Sequence, residues 1–152
     1  MTPAEAMWDD FTKENNITNT NYQTRWFGSQ DNPDEIDEYN KLIFDGIKHS
    51  TSKPLKYYAA KQEAIPQIGD YYILLDGQMK PVGIIKTVVS EIIPFIKISA
   101  EHAYHEGEGN RTLSDWKERM EQRFTKLAKS YDDQFSIDEP IVSETFELVY
   151  PK

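Results

Sequence analysis

An α+β domain built on a small mixed or antiparallel barrel is the fold this sequence predicts, on three observations. Three amphipathic helices carry their own start signals, the middle of the chain is rich in Ile, Val and Tyr, and an alternating segment closes it. Helices come first, strands occupy the middle, one more helix follows, and a strand ends the order. No repeat, low-complexity tract or linker divides the 152 residues, so a single domain is expected over 1–152.

The first helix is read over 3–13. Thr2-Pro3-Ala4-Glu5 combines a capping residue, proline at the first helical position and glutamate at N3. Ala4, Met7, Trp8 and Phe11 then fall on one helical stripe. Asn32-Pro33-Asp34-Glu35 repeats that start for a helix over 33–45, with Ile36, Tyr39, Leu42 and Ile43 inward and Gly46 as its stop. Strands are expected at YYILL (71–75) and VGIIKTVVSEII (82–93), joined by a DGQMKP turn. Pro94 should end or bulge the second, with FIKI (95–98) as a possible continuation. The third helix, 112–129, buries Leu113, Trp116, Met120, Phe124 and Leu127 and places Lys126 and Lys129 at the negative pole of its dipole. ETFELVY (144–150) alternates Phe146, Leu148 and Tyr150 against more exposed positions as the last strand.

Composition narrows the function. A net charge of −9 argues against a generic duplex-DNA binder, whose affinity rests on neutralising phosphates. The charge is uneven: residues 1–47 hold ten acids against three bases, whereas 48–62 hold four lysines and no acid. A local cationic segment on an acidic body suits a small anionic or phosphorylated ligand better than a long polyanion, and a solvated lysine-rich loop equally well. Without cysteine there are no disulfides, zinc ribbons or thiol catalysis, which fits a reducing compartment. No stretch nears the roughly 20 apolar residues of a membrane span, and MTPAEAMWDDF has no basic leader region. No membrane partner is expected, and the expected location is cytoplasmic.

Two stretches have the composition of a site. In GIKHST (46–51), Lys48 and Thr51 follow a helix end, either as an ordinary solvated stop or as half of a cavity. A lysine beside a hydroxyl can activate a weak nucleophile if burial lets it accept a proton. In EGEGN (106–110), glycines around Glu108 permit positive φ and a fixed carboxylate direction. His102 and His105 beside Glu106 have some ligand character, but H-E-x-x-H is absent, and neither metal nor cofactor is expected. GxxxxGK[ST], a GxGxxG after a strand, and GxSxG are absent as well.

Taken in order, WFG (26–28), FDGIKHST (44–51), PQIGDYYILLD (66–76), IIPFIKISAEHAYHEGEGNRTLSDW (92–116) and ETFELVY resemble the ASCH-domain family, in particular its longer bacterial branch, over roughly Trp26 to Tyr150. The resemblance implies a PUA-like fold, a small mixed β-barrel with flanking helices and a cleft between the post-helix turn and the barrel. It further implies a role near RNA: ribonuclease activity, or amide hydrolysis on an acylated cytidine nucleoside. The working residues of the amidohydrolase branch are a lysine, a threonine three later and the glutamate of H-A-x-x-E. They fall here on Lys48, Thr51 and Glu106. The chain departs from its branch at His49 and Ser50, at Asn110 where aspartate is frequent, and at Met120 where a histidine is usual.

Lys48 is thus expected as base or cation, Thr51 as nucleophile or water holder, and Glu106 as proton shuttle, converging on one polar cleft. Lys48→Ala is expected to abolish binding or turnover with little change in melting temperature. Ser50, Lys53, Tyr57, Glu108, Arg111 and Thr112 are expected to contact ligand, with Tyr58 as a further stacking candidate and Trp26 read as core. The function expected is a hydrolase of a modified nucleoside or RNA. The alternatives are a non-catalytic module binding nucleoside, nucleotide or single-stranded RNA, and a regulatory domain with a vestigial cleft. A small ligand should bind independently of salt, and long RNA weakly and salt-sensitively.

Overall fold

A computed structural model of the chain describes residues 1–18 and 21–151. Its elements run α1 (Pro3–Asn15), β1 (Tyr22–Arg25), α2 (Pro33–Phe44), β2 (Ser50–Pro54), α3 (Leu55–Lys61), β3 (Tyr71–Leu75), β4 (Pro81–Pro94), α4 (Ala100–Glu106), α5 (Leu113–Lys129) and β5 (Pro140–Tyr150). The capping boxes do what their spacing requires: Thr2, Asn32 and Thr112 each accept the backbone N–H three residues on. Three α-helices and the two paired strands fall within two residues of their expected ends. Phe95–Lys97 is a 3-10 turn rather than more strand, because Pro94 supplies no N–H to a ladder. The short elements β1, β2, α3 and α4 had no periodic signal long enough to announce them.

The α+β class holds, but the barrel does not close. The strands form one sheet in the order β1-β3-β4-β5-β2, with β1 parallel to β3 and every other pair antiparallel. No ladder joins β1 to β2 among the described residues. The facing edges are short: β1 has four residues and ends at Arg25, whose side chain crosses the gap, and β2 ends at Pro54, which lacks a donor. The gap becomes the mouth of the molecule.

β3 reads as an unbroken apolar run because both of its faces are covered. Ile73 and Ile84 pack beneath Phe11 of α1, while Tyr72, Leu74 and Ile85 pack with Phe27, Ile43 of α2 and Phe146. A third cluster joins α4 and α5 to the end of the sheet through Phe95, Trp116, Met120, Phe124 and Ile141. Met120 is therefore a core residue. A bulge at Val88, where the β4–β5 register slips between Thr87 and Val89, bends the sheet and aims Thr87 inward. Among the described residues no helix is long and apolar enough to cross a membrane.

Candidate functional site

The first half of the site is built by a helix stop. Gly46 adopts φ +74°, Ile47 N–H bonds to Leu42 O at 2.9 Å and Gly46 N–H to Ile43 O at 3.1 Å, a Schellman closure that turns the chain sharply after α2. Lys48 is thereby directed inward, where it is 2% exposed. The second half is the α4 stop. Gly107 has φ +75° and an added Cβ would lie 2.9 Å from Ile47 O, so only glycine lets the two turns touch. Glu108 follows and faces Lys48.

The Lys48 ammonium donates to Glu108 Oε2 at 2.9 Å, to Ser50 O at 2.9 Å and to Glu106 O at 3.3 Å. All three of its protons are engaged, which is the geometry of a held charge and leaves no lone pair to accept a proton. The faces of Phe27 and Tyr39 complete its shell. Glu108 also accepts from Arg123 at 2.9 Å and lies 3.4 Å from Arg119. Burial alone would raise the Glu108 pKa, but Lys48 and Arg123 outweigh it and hold the carboxyl down to about 2. With a folded value below the ordinary one near 4.5, the stabilisation is complete above that range and is lost as pH falls toward about 2. Urea melts from pH 5 to 2.5 should show stability falling, and Glu108→Gln should flatten that slope.

Glu106 sits behind this pair. It is 1% exposed, and its Oε2 accepts from Trp116 Nε1 and from Ser52 Oγ, the latter at 2.7 Å. His102 Nε2 stands 2.6 Å from Ser52 Oγ and 3.2 Å from Glu106, and Ser143 Oγ lies 3.0 Å from His102 Nδ1. Burial pushes the Glu106 pKa up, yet the His102 hydrogen bond and the Lys48 charge bring it below the usual carboxylate value. Among the described residues no group of three or more His, Asp or Glu comes together as a metal site.

A cavity of about 530 Å³ opens beside these groups in the gap between the edge strands. Lys48, Thr51, Ser52, Glu108 and Arg123 supply its polar wall, and Trp26, Phe27 and Tyr57 supply rings. Thr51 and Lys53 share one face of β2, while Ser50 and Ser52 share the other. The expected residues are distributed as follows. Lys48, Thr51, Lys53, Tyr57 and Glu108 line the cavity, whereas Glu106 meets it only through the Ser52 hydroxyl. Ser50 is fully buried and donates to His102 O, outside the cavity wall. Arg111 stacks on Tyr104 and bonds to its carbonyl at 2.9 Å, and Thr112 is occupied as the α5 cap. Neither lines the cavity. Trp26, read as core, is 37% exposed at its rim, because the adjacent Phe27 takes the inward position in the core.

Sequence reasoning missed Ser52, Arg123 and the Arg25–Glu144 pair, and weighed His102 only as a metal ligand and not as a partner of Ser52 and Glu106. Arg25 donates to both Glu144 oxygens at 3.0 and 2.8 Å, and Thr87 Oγ1 donates to Oε2 at 2.8 Å. One signal was available: the alternation that places Phe146 inward places Glu144 inward too, and a buried carboxylate requires a partner.

A family model described as the ASCH domain matches residues 24–150. The crystal structure of an ASCH domain from Lactobacillus crispatus JV V101 superposes with TM-score 0.84 at 20% identity, covering 96% of this chain and 93% of that one. A protein of Enterococcus faecalis V583 assigned to the family DUF984 superposes with TM-score 0.85 at 30% identity, covering 97% and 88%. No curated protein matches the sequence. The PUA-like architecture and the match across nearly all of the sheet agree: this chain belongs to the ASCH-domain family.

Proposed function

We propose that this ASCH-domain protein hydrolyses an acyl or amide group on a modified nucleoside. The observation that carries the reading is Thr51, a hydroxyl on the wall of a cavity of about 530 Å³ that also presents Lys48, Ser52 and the rings of Trp26 and Tyr57. That volume suits one nucleoside. The rings offer stacking faces for a base, and Thr51 attacks the carbonyl or holds the water that does. Lys48 contributes a fixed positive field for the developing oxyanion rather than acting as base. The proton taken from Thr51 or the water passes through Ser52, which donates to Glu106 at 2.7 Å, and returns by the same hydroxyl to the leaving amine or alcohol.

The test is a panel of acylated nucleosides and single-stranded RNA incubated with pure protein and read by mass spectrometry. Thr51 is half-buried at the cavity wall, so Thr51→Ala should change stability by less than about 1 kcal/mol while lowering turnover by about 100-fold or more. Intact substrates throughout the panel would defeat the hydrolase reading. A second reading, a binding module without chemistry, is favoured by one observation: all three Lys48 protons are engaged. It predicts nucleoside binding with no turnover, and Thr51→Ala affecting affinity alone.

A further inference from the structure

A second cavity, of about 510 Å³, lies on the other side of Trp26 and Tyr57. The two share a wall made by Arg25, Trp26, Gly28, Lys53 and Tyr57. The second pocket has the same character as a base-binding site: rings from Tyr58 and Tyr72, with the amides of Gln23 and Gln62 as donors and acceptors. Nothing in the nucleoside reading uses it.

The shared wall also holds an unbalanced charge. Arg25 is committed to Glu144 by two hydrogen bonds, and Lys48 to Glu108. The Lys53 ammonium makes no hydrogen bond or ion pair with any described residue and rests on the face of Tyr57, 4.1 Å from the ring centroid. A half-buried cation on which the carboxylates of Glu63 and Glu144 act only at a distance, with no ion pair to either, is completed by a ligand anion. Its position restricts which anion. A carboxylate or a phosphate monoester ends a molecule, whereas a phosphodiester joins two parts and still carries one negative charge. Only the latter sits naturally at the boundary between two ring-lined pockets.

We propose that the two cavities are halves of one site that takes a nucleoside joined through a single phosphodiester to a second planar heterocycle, with Lys53 on the joining phosphate. This rests on the nucleoside reading of the first cavity and names its substrate class more closely. The state of Lys53 gives it a pH signature. Burial first, then Arg25 of β1, lower its pKa to about 8, against the opposing pull of Glu63 beyond α3 and Glu144 of β5, with Tyr57 of α3 capping it. The ammonium is therefore charged at neutral pH and loses its proton as pH rises through about 8, taking the phosphate contact with it.

The test is calorimetric titration of a nucleoside and of the dinucleoside monophosphate that contains it, at pH 7 and pH 9, into the wild type, Lys53→Met and Lys53→Arg. The dinucleoside monophosphate should bind the wild type about tenfold or more tightly than the nucleoside at pH 7. That advantage should shrink at pH 9, vanish in Lys53→Met, and persist at both pH values in Lys53→Arg. A dinucleoside monophosphate no tighter than the nucleoside, or an advantage unchanged in Lys53→Met, overturns the inference while the nucleoside reading stands. If neither probe binds, both fall. A tetranucleotide run in parallel distinguishes sources that share the linkage: equal affinity indicates that a free dinucleotide suffices, and tighter binding indicates a longer chain.

Discussion

Lys48→Ala is expected to destabilise the protein by about 3 kcal/mol or more, because it leaves two buried carbonyls without their donor and opens a cavity in the core. This reverses the expectation, drawn from the sequence, that melting temperature would hardly change. The difference is burial: Lys48 is 2% exposed, not on a solvated turn. Its loss strips the donor from Ser50 O and Glu106 O and leaves a hole beside Phe27 and Tyr39. Glu108 keeps Arg123 and Arg119, so its charge is not left bare. Lys48→Met restores most of the volume without the donors and should lie between wild type and alanine. Urea denaturation of the three proteins checks the order. A melting curve for Lys48→Ala that overlays the wild type would mean that the post-helix turn is solvated after all. The practical consequence concerns activity: a dead Lys48→Ala reports on folding as much as chemistry, and Thr51→Ala is the cleaner probe.

Glu144→Ala should be as damaging, by about 3–5 kcal/mol, because it leaves a guanidinium in the gap without its counter-ion. Glu144 is 1% exposed and holds Arg25 by both oxygens while accepting from Thr87. Arg25 ends β1 and Glu144 lies on β5, so this pair ties the two sides of the open sheet where no ladder joins them among the described residues. Freed from it, Arg25 would also alter the wall common to both cavities. Glu144→Gln keeps the shape and one acceptor and should cost less. Thermal denaturation orders the three, and nucleoside binding by Glu144→Gln should weaken more than its stability alone accounts for. Equal stability of wild type and Glu144→Ala would show that the sheet edge is held by packing and not by the ion pair.

The long elements were legible because each carries several independent local signals. Thr2-Pro3-Ala4-Glu5 and Asn32-Pro33-Asp34-Glu35 declare helix starts by capping chemistry, and the stripe from Leu113 to Leu127 declares a buried face by its period. The β-rich middle and the closing alternation were readable for the same reason. β1 and β2 are four and five residues long and mostly polar, so they show no apolar alternation, and the seven residues of α4 complete less than two helical turns; their neighbours stabilise them. In the site, the motif spacing pointed to Lys48 and Thr51 at the helix stop and to the glycine-flanked Glu108. It could not show that Lys48 is fully hydrogen-bonded, or that Glu106 turns away toward Trp116.

By itself, then, the sequence determined the α+β class, the sharp turn at Gly46 and the tight loop at Gly107, since helix caps and positive-φ glycines act within a few residues. Only the tertiary structure decided that the sheet stays open, that Arg25 crosses to Glu144 over 119 positions of chain, and that Lys53 faces two cavities without an ion pair to any described residue. Charge pairing and cavity walls depend on which distant segments the packing of α1, α2 and α5 brings together. Those contacts leave no periodic trace in the chain, because a buried charge is specified by its partner's position and not by its own neighbours.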